Sequence, residues 1–358
     1  MTIEWLASAE GQTTIEALRG TDPLQARRQF PGLRVEQVTA ALTQARHKPL
    51  NYPLPLVTAE GIQQATPIPV ATRRAQRLAL TTDTIIDAGC GIGVDAWAFQ
   101  QAGLQVLAYE RDPQTAAIAQ ANGIEVIVAD VTEVALPDLP LYVDPARRKA
   151  HRHVSGQAIR TNDPTLWSPP FDWVLAHASL ARVGPGLQEI PSDAEWHCSS
   201  INRSLVDATV WFPPRNRLDR RASILHKDIW HEVAGPASAV HIEPVNDYLL
   251  DPDPAIVRAG LVSNIGALID PHLAFVTCQQ APAPWLGRAM RVLEEVPLKA
   301  VSQACQRLGL QTATVWARGF SPVPRLGVPE GTDGVVVLAR MGTQRVTRAW
   351  VGVPVART

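Results

Sequence analysis

The chain is poor in the features that mark exported or membrane-bound proteins. It has no run of about 18 apolar residues of the kind that crosses a bilayer. Its start, Met1-Thr2-Ile3-Glu4-Trp5, lacks the basic segment followed by an apolar one that directs secretion. Cysteines number only four, Cys90, Cys198, Cys278 and Cys305, with no Cys-x-x-Cys. Neither a disulfide framework nor a zinc site is therefore expected. His151 and His153 alternate without a nearby third ligand and read as solvated loop residues. A net charge of −1 excludes a globally basic nucleic-acid binder, so any such contact must come from local patches. The expectation is a cytoplasmic chain with no metal and no membrane partner.

What is present is enough apolar material for a large core. Hydrophobic residues make up 46% of the 358 and charged residues 19%, and the length suggests two or three domains. The rest is organised around Thr84-Ile85-Ile86-Asp87-Ala88-Gly89-Cys90-Gly91-Ile92-Gly93-Val94-Asp95. An apolar run leads into an acid, then into three glycines at alternate positions, then into a helical pattern. Glycine lets the turn take positive φ and lets a ligand approach the backbone. The helix start offers unpaired N–H groups to polar or anionic atoms. An adenosine-containing cofactor is the first expectation. A dinucleotide fingerprint counted from Gly89 would place its third glycine at Val94; counted from Gly91 its looser form ends at Ala96, so spacing alone leaves a nicotinamide cofactor open.

Three further acids extend the pattern. Gln105-Val106-Leu107-Ala108-Tyr109-Glu110 reads as a strand ending about 20 residues beyond the turn, where an acid would hold a ribose diol. Ile124-Glu125-Val126-Ile127-Val128-Ala129-Asp130 and Leu139-Pro140-Leu141-Tyr142-Val143-Asp144-Pro145 read as two more strands, each ending in an acid. Residues 113–122 carry an Ala-rich helical pattern. Repeated strand–helix units imply a parallel sheet with ligands at the carboxyl ends of its strands.

Around this core, residues 1–70 read as a helical segment and 71–224 as the cofactor domain. Phe171-Asp172-Trp173-Val174-Leu175-Ala176 and Leu205-Val206-Asp207-Ala208-Thr209-Val210-Trp211-Phe212 read as further sheet elements, with Trp173 and Trp211 in the core. Residues 225–358 are proline-rich with short alternating segments and read as a separate α+β domain. In it Asp251-Pro252-Asp253-Pro254 is a helix-start signal. A basic run follows the fourth strand: Arg147, Arg148, Lys149, Arg152 and Arg160. It could grip the phosphates of a nucleic acid, and Arg215, Arg217, Arg220, Arg221 and Lys227 could extend the same surface.

The glycine turn with Asp87 two residues ahead resembles motif I of the class I S-adenosylmethionine (SAM) methyltransferases. With Gln63-Gln64-Ala65-Thr66, Asp144-Pro145-Ala146-Arg147-Arg148 and the stretch from Tyr248 to Leu261, the chain resembles bacterial members that carry a C-terminal THUMP-like domain. More distantly, its central domain looks like trimethylguanosine-synthase-type enzymes. The resemblance implies a Rossmann-like domain, SAM as cofactor and an RNA substrate. It places Asp87, Ala88, Gly89, Gly91 and Gly93 around the methionine moiety and Glu110 on the ribose, with Arg111 beside it. Asp130 would accept from the adenine amino group, Val131 would pack on the ring, and the Thr66 hydroxyl would meet the cofactor's amino-acid end. Asp144 and Pro145 would form the catalytic turn, with Arg147, Arg148, Lys149 and Arg152 toward RNA. The usual loop continues with a second proline and a stacking aromatic; Ala146 and Arg147 stand in their place. That departure leaves a non-catalytic SAM-binding RNA-interaction protein as the alternative.

Overall fold

The computed structural model describes residues 2–146, 167–183, 191, 193–212 and 220–355. The chain divides into two compact units, Met1–Glu189 with Thr209–Phe212, and Ile190–Ala208 with Pro213–Thr358.

The first unit begins with six helices: α1 (Thr2–Ala7), α2 (Ala9–Ala17), α3 (Pro23–Gln29), α4 (Val35–His47), α5 (Ala59–Gln64) and α6 (Ile68–Ala79). Their starts are set locally. Ser8, Asp22 and Thr58 each accept a backbone N–H from the first turn that follows, and Pro23 opens α3 where no N–H is needed. Then strand and helix alternate through β1 (Thr84–Ala88), α7 (Val94–Gln101), β2 (Gln105–Glu110), α8 (Pro113–Ala121), β3 (Val126–Val128), β4 (Leu141–Val143), α9 (Phe171–His177) and β5 (Leu180–Arg182). The strand order is β3-β2-β1-β4-β5, all parallel, and residues 209–211 pair antiparallel with β5. The order reverses between β1 and β4, which opens a crevice at their carboxyl ends.

Leu6, Ile15, Leu18 and Leu42 of the early helices share one core with Leu78, Ile85, Phe99 and Trp211. A side chain also ties the two parts together. Asn122 acts as a strand partner for Leu56, accepting its N–H at 2.7 Å and donating to its carbonyl at 2.9 Å. The same amide donates to the Ile92 carbonyl at 2.9 Å, next to the glycine turn.

One sequence expectation is corrected here. Residues 171–176 are helical, not a strand, and the sheet element is the short β5 that follows. Pro170 precedes the helix, Asp172 lies in its first turn, and Val174 is its one fully buried residue, with Phe171 and Trp173 half-buried. Trp173 is half-buried and stacks on His177 one turn later at 4.5 Å, whereas Trp211 is fully buried.

The second unit contains β6 (Glu195–Ile201), β7 (Ser204–Trp211), whose last residues belong to the first unit, β8 (Arg220–His226) and β9 (Ile229–Gly235). It continues with β10 (Tyr248–Pro252), α10 (Pro254–Ala259), β11 (Ala267–Asp270), β12 (Leu273–Cys278) and β13 (Gly287–Val296). Last come α11 (Val301–Arg307), β14 (Ala313–Arg318), β15 (Gly334–Met341) and β16 (Val346–Pro354). Asp253 caps α10 by accepting the Ala255 N–H, as the Asp-Pro repeat implies, and its other bond is to Ser200 Oγ on β6. Seven strands form one sheet in the order β11-β12-β10-β13-β16-β15-β14. One face packs Leu249, Phe275, Met290, Trp316 and Trp350 together; the other carries Val336, Leu338 and Val351 against Val301 and Cys305 of α11. Arg318 on β14 reaches Asp251 on β10 across three intervening strands, so the sheet is strongly curled.

Candidate cofactor pocket and active site

The glycine turn between β1 and α7 needs glycine for two different reasons. Gly89 and Gly91 have φ of 82° and 58°, and a Cβ on either would point into open space. There the requirement is the left-handed backbone itself. Gly93, at φ 91°, caps α7, and a Cβ there would stand 2.7 Å from Ile124 Cγ1. The turn is anchored to β2, because the N–H groups of Gly89 and Cys90 both donate to the Tyr109 carbonyl at 2.9 Å.

Beside the turn lies a cavity of about 400 Å³ at the carboxyl ends of β1 to β4. Thr66, Asp87, Ala88, Gly89, Gly91, Glu110, Arg111, Asp130, Val131, Asp144 and Pro145 all line it. Gly93 does not; it packs beneath the turn. Arg147, Arg148, Lys149 and Arg152 lie outside the described residues, as do His151, His153, Arg160, Arg215 and Arg217.

The acids differ in what already holds them. Glu110 takes the Gly91 N–H on one oxygen at 3.0 Å and the Asp112 N–H on the other at 2.9 Å. That fixes the carboxylate at the end of β2 and leaves each oxygen lone-pair capacity for a diol. Asp130 accepts from the Thr132 N–H and hydroxyl at 3.0 and 2.7 Å, and Arg111 lies 3.7 Å away. Those Thr132 bonds, with the Arg111 charge behind them, hold the Asp130 carboxyl below the usual aspartate range.

Asp87 is the opposite case. It is 1% exposed, and its Oδ2 is buried without a hydrogen-bond partner. Burial raises its pKa well above the ordinary value, and the negative charges of Asp95 and Asp144 add to the rise. Burial also pushes the Cys90 thiol far up, so this cysteine is no thiolate nucleophile.

Two arginines organise the floor of the site, and both escaped the sequence reading. Arg74, 4% exposed on α6, pairs with Asp95 Oδ1 and donates to the Tyr142 hydroxyl at 2.8 Å. The Thr66 hydroxyl donates to the other oxygen of Asp95 at 2.7 Å. Its proton is thus directed at Asp95, and its oxygen accepts from Arg74 Nη1 at 3.4 Å. Arg182, 5% exposed on β5, donates to Asp144 Oδ2 at 2.8 Å and to the Gln64 carbonyl at 2.7 Å. A signal existed for Arg74: it shares the buried face of α6 with Val70, Ala71, Ala75 and Leu78, where a cation demands a buried anion. For Arg182 the signal was a charge in the apolar run from Leu180 to Val183.

After Pro145 the chain is held by backbone pairing: Ala146 and Ser168 exchange two hydrogen bonds of 2.7 and 3.1 Å. The basic residues Arg220 and Arg221 also depart from expectation. Arg220 caps α10 through the Ala259 carbonyl, and Arg221, 9% exposed, pairs with Glu195 and Glu232. Both are committed to holding the second unit together rather than offered to a ligand. Among the described residues no group of His, Cys, Asp and Glu could hold a metal ion, and no helix is long and apolar enough to cross a membrane.

Parallel strands in this order, a glycine turn after the first and four strand-end acids around one cavity define a class: the Rossmann-like fold of the class I methyltransferases. The chain is similar in fold to the crystal structure of a "putative methyltransferase" from Porphyromonas gingivalis W83, with a TM-score of 0.71. That match spans 96% of this chain and 97% of the other at 16% identity. In sequence it is similar to two Mycobacterium tuberculosis proteins, from strains CDC 1551 and H37Rv, each named an uncharacterized S-adenosylmethionine-dependent methyltransferase. Each is 29% identical over 313 residues, covering 80% of this chain and 85% of the relative. No family model matches the chain.

Proposed function

We propose that this chain is a SAM-dependent methyltransferase whose substrate is RNA. The first half stands on the fold, on the relatives and above all on one observation: Asp87, Glu110, Asp130 and Asp144 converge on a single cavity from four strand ends. The residues suit the cofactor. Gly89 and Gly91 leave room against the backbone, and Asp87 Oδ2 is a buried polar atom in want of a partner. SAM supplies a methyl group on an already activated sulfonium, so holding the target in line does much of the catalysis. Glu110 would accept the ribose hydroxyls, Asp130 the adenine amino group, and Val131 would cover the ring. Asp144, steadied by Arg182, would accept the target atom's hydrogen as the new bond forms and the carbon–sulfur bond breaks. Arg182 leaves Asp144 24% exposed, open to a substrate.

RNA is supported by the basic run of Arg147, Arg148, Lys149 and Arg152, which follows the pocket residues Asp144 and Pro145 directly in the chain. The THUMP-like reading of residues 225–358 points the same way. The domain scheme with a helical segment over 1–70 and a cofactor domain over 71–224 belongs to this proposal as well.

A second reading keeps the pocket but not the transfer. It is favoured by Ala146, which offers no ring and is engaged in backbone pairing with Ser168. Calorimetric titration with SAM and S-adenosylhomocysteine, followed by transfer of labelled methyl to bulk RNA, separates the two. Binding with transfer supports the enzyme; binding without transfer supports the RNA-interaction protein; no binding removes both. In the same assay Arg147→Ala with Arg148→Ala should lower RNA affinity and its salt dependence while leaving SAM affinity unchanged.

A further inference from the structure

A second cavity, of about 390 Å³, lies within the second unit and takes no part in the proposed methyl transfer. Arg288, Thr314, Trp316 and Thr332 line it, with Pro282 and Val335 among its apolar walls. Arg288 is fixed from two sides. Its Nε donates to Asp251 Oδ2 at 2.7 Å, and its guanidinium lies 4.5 Å from the centre of the Trp316 ring. Arg318 is fixed in the same way, by Asp251 Oδ1 at 2.6 Å and by the Phe275 ring at 5.3 Å. Arg203 makes a third contact with the same carboxylate at 3.5 Å.

Asp251 is 5% exposed, and three guanidiniums share its one negative charge. Among the described residues the two Nη atoms of Arg288 have no hydrogen-bond partner, and neither do Nε and Nη1 of Arg318. Both side chains remain about a third exposed, at 36% and 32%. A guanidinium is a rigid planar fork, so one anchored along one edge with the rest open is preorganised for an oxyanion. Arg318 does not itself line the cavity, but its charge, held on the same carboxylate, adds to the positive field there and favours a dianion over a simple carboxylate. The apolar walls ask for an uncharged body attached to it.

We propose that this cavity binds a phosphate ester, with the phosphate on Arg288 in the field of Arg318 and the ester body along Pro282 and Val335. The site lies wholly in the second unit and stands whether or not the methyltransferase reading holds.

The test is calorimetric titration of the full chain with inorganic phosphate, ribose 5-phosphate and a 5′-phosphorylated trinucleotide. Ribose and the unphosphorylated trinucleotide serve as controls. The phosphorylated organic probes should bind and the controls should not. Tighter ribose 5-phosphate would indicate a free phosphate ester, and tighter trinucleotide a nucleic-acid end; both support the site. Arg288→Met should weaken binding about tenfold or more, and Arg288→Lys by less. Arg291→Met, on the exposed side of the same strand, should change nothing. Thr332→Trp blocks the mouth from an exposed position without touching Asp251, and should abolish binding at unchanged thermal stability. Absence of binding by every phosphorylated probe at millimolar concentration overturns the proposal. So does organic-probe binding that survives both Arg288→Met and Thr332→Trp, or binding of inorganic phosphate alone.

Discussion

A single nitrogen of Arg182 joins two walls of the cofactor pocket: Nη1 lies 2.8 Å from Asp144 Oδ2 and 2.7 Å from the Gln64 carbonyl. It ties the carboxyl end of β4 to the carboxyl end of α5, both of which contribute residues to the cavity. Arg182→Ala should therefore reduce methyl transfer far more than SAM binding, and cost about 2 kcal/mol of stability. Arg182→Lys should restore the stability better than the activity, because an ammonium on a flexible stem does not fix both acceptors where the rigid planar guanidinium holds them. Single-turnover methylation beside urea unfolding checks the split; equal losses in both would make Arg182 a merely structural residue.

Glu110 is held by two backbone N–H groups and presents its remaining capacity to the cavity. Replacing it with alanine should weaken SAM binding roughly tenfold or more. Unchanged affinity in calorimetry would take Glu110 out of the site.

Asp87 gives a pH signature. Burial, reinforced by Asp95 and Asp144, holds its folded pKa well above that of an aspartate in the unfolded chain. The unfolded chain releases this proton near pH 4 while the folded chain keeps it. The contribution of Asp87 to stability is thus full below about pH 4 and declines as pH rises toward the folded pKa. Unfolding free energies of the wild type and Asp87→Asn, measured in urea from pH 4 to 8, should diverge in favour of the variant as pH increases. A pH-independent difference would refute this.

The pair of Arg74 and Asp95 is buried, so removing one partner strands the other. Arg74→Met should destabilise the protein by about 3–5 kcal/mol. Adding Asp95→Leu should cost less than the sum of the two single changes, because the stranded charge is gone. Strict additivity in urea unfolding would mean the two groups are not coupled.

Legibility of the site tracked how local its cause was. The turn from Asp87 to Gly93 and the strand ends at Glu110 and Asp130 could be read in the sequence, because each is written in a few adjacent residues. Helix α9 was misread as a strand because six residues rich in apolar and aromatic types fit both periods, and only the proline and acid at its start decide. Arg74 and Arg182 were missed for another reason. The local pattern marks each as a cation in apolar surroundings, but their partners lie 21 and 38 positions away and are not named by it. The curl of the second sheet, which brings Arg318 to Asp251 over 67 positions, was equally out of reach.

The way Asn122 stands in for a strand partner of Leu56 bears on how divisible the first unit is. The opening helices are neither a lid nor an accessory; their leucines fill the same interior as the sheet. Each fully buried leucine contributes about 2 kcal/mol, so a fragment starting at α5 would forfeit Leu6, Leu18, Leu42, Leu54 and Leu56 together. It would also bare a continuous greasy flank on the remaining Rossmann layer. Such a fragment should self-associate rather than bind cofactor, and grafting this catalytic layer into another protein would require carrying the first fifty-eight residues with it.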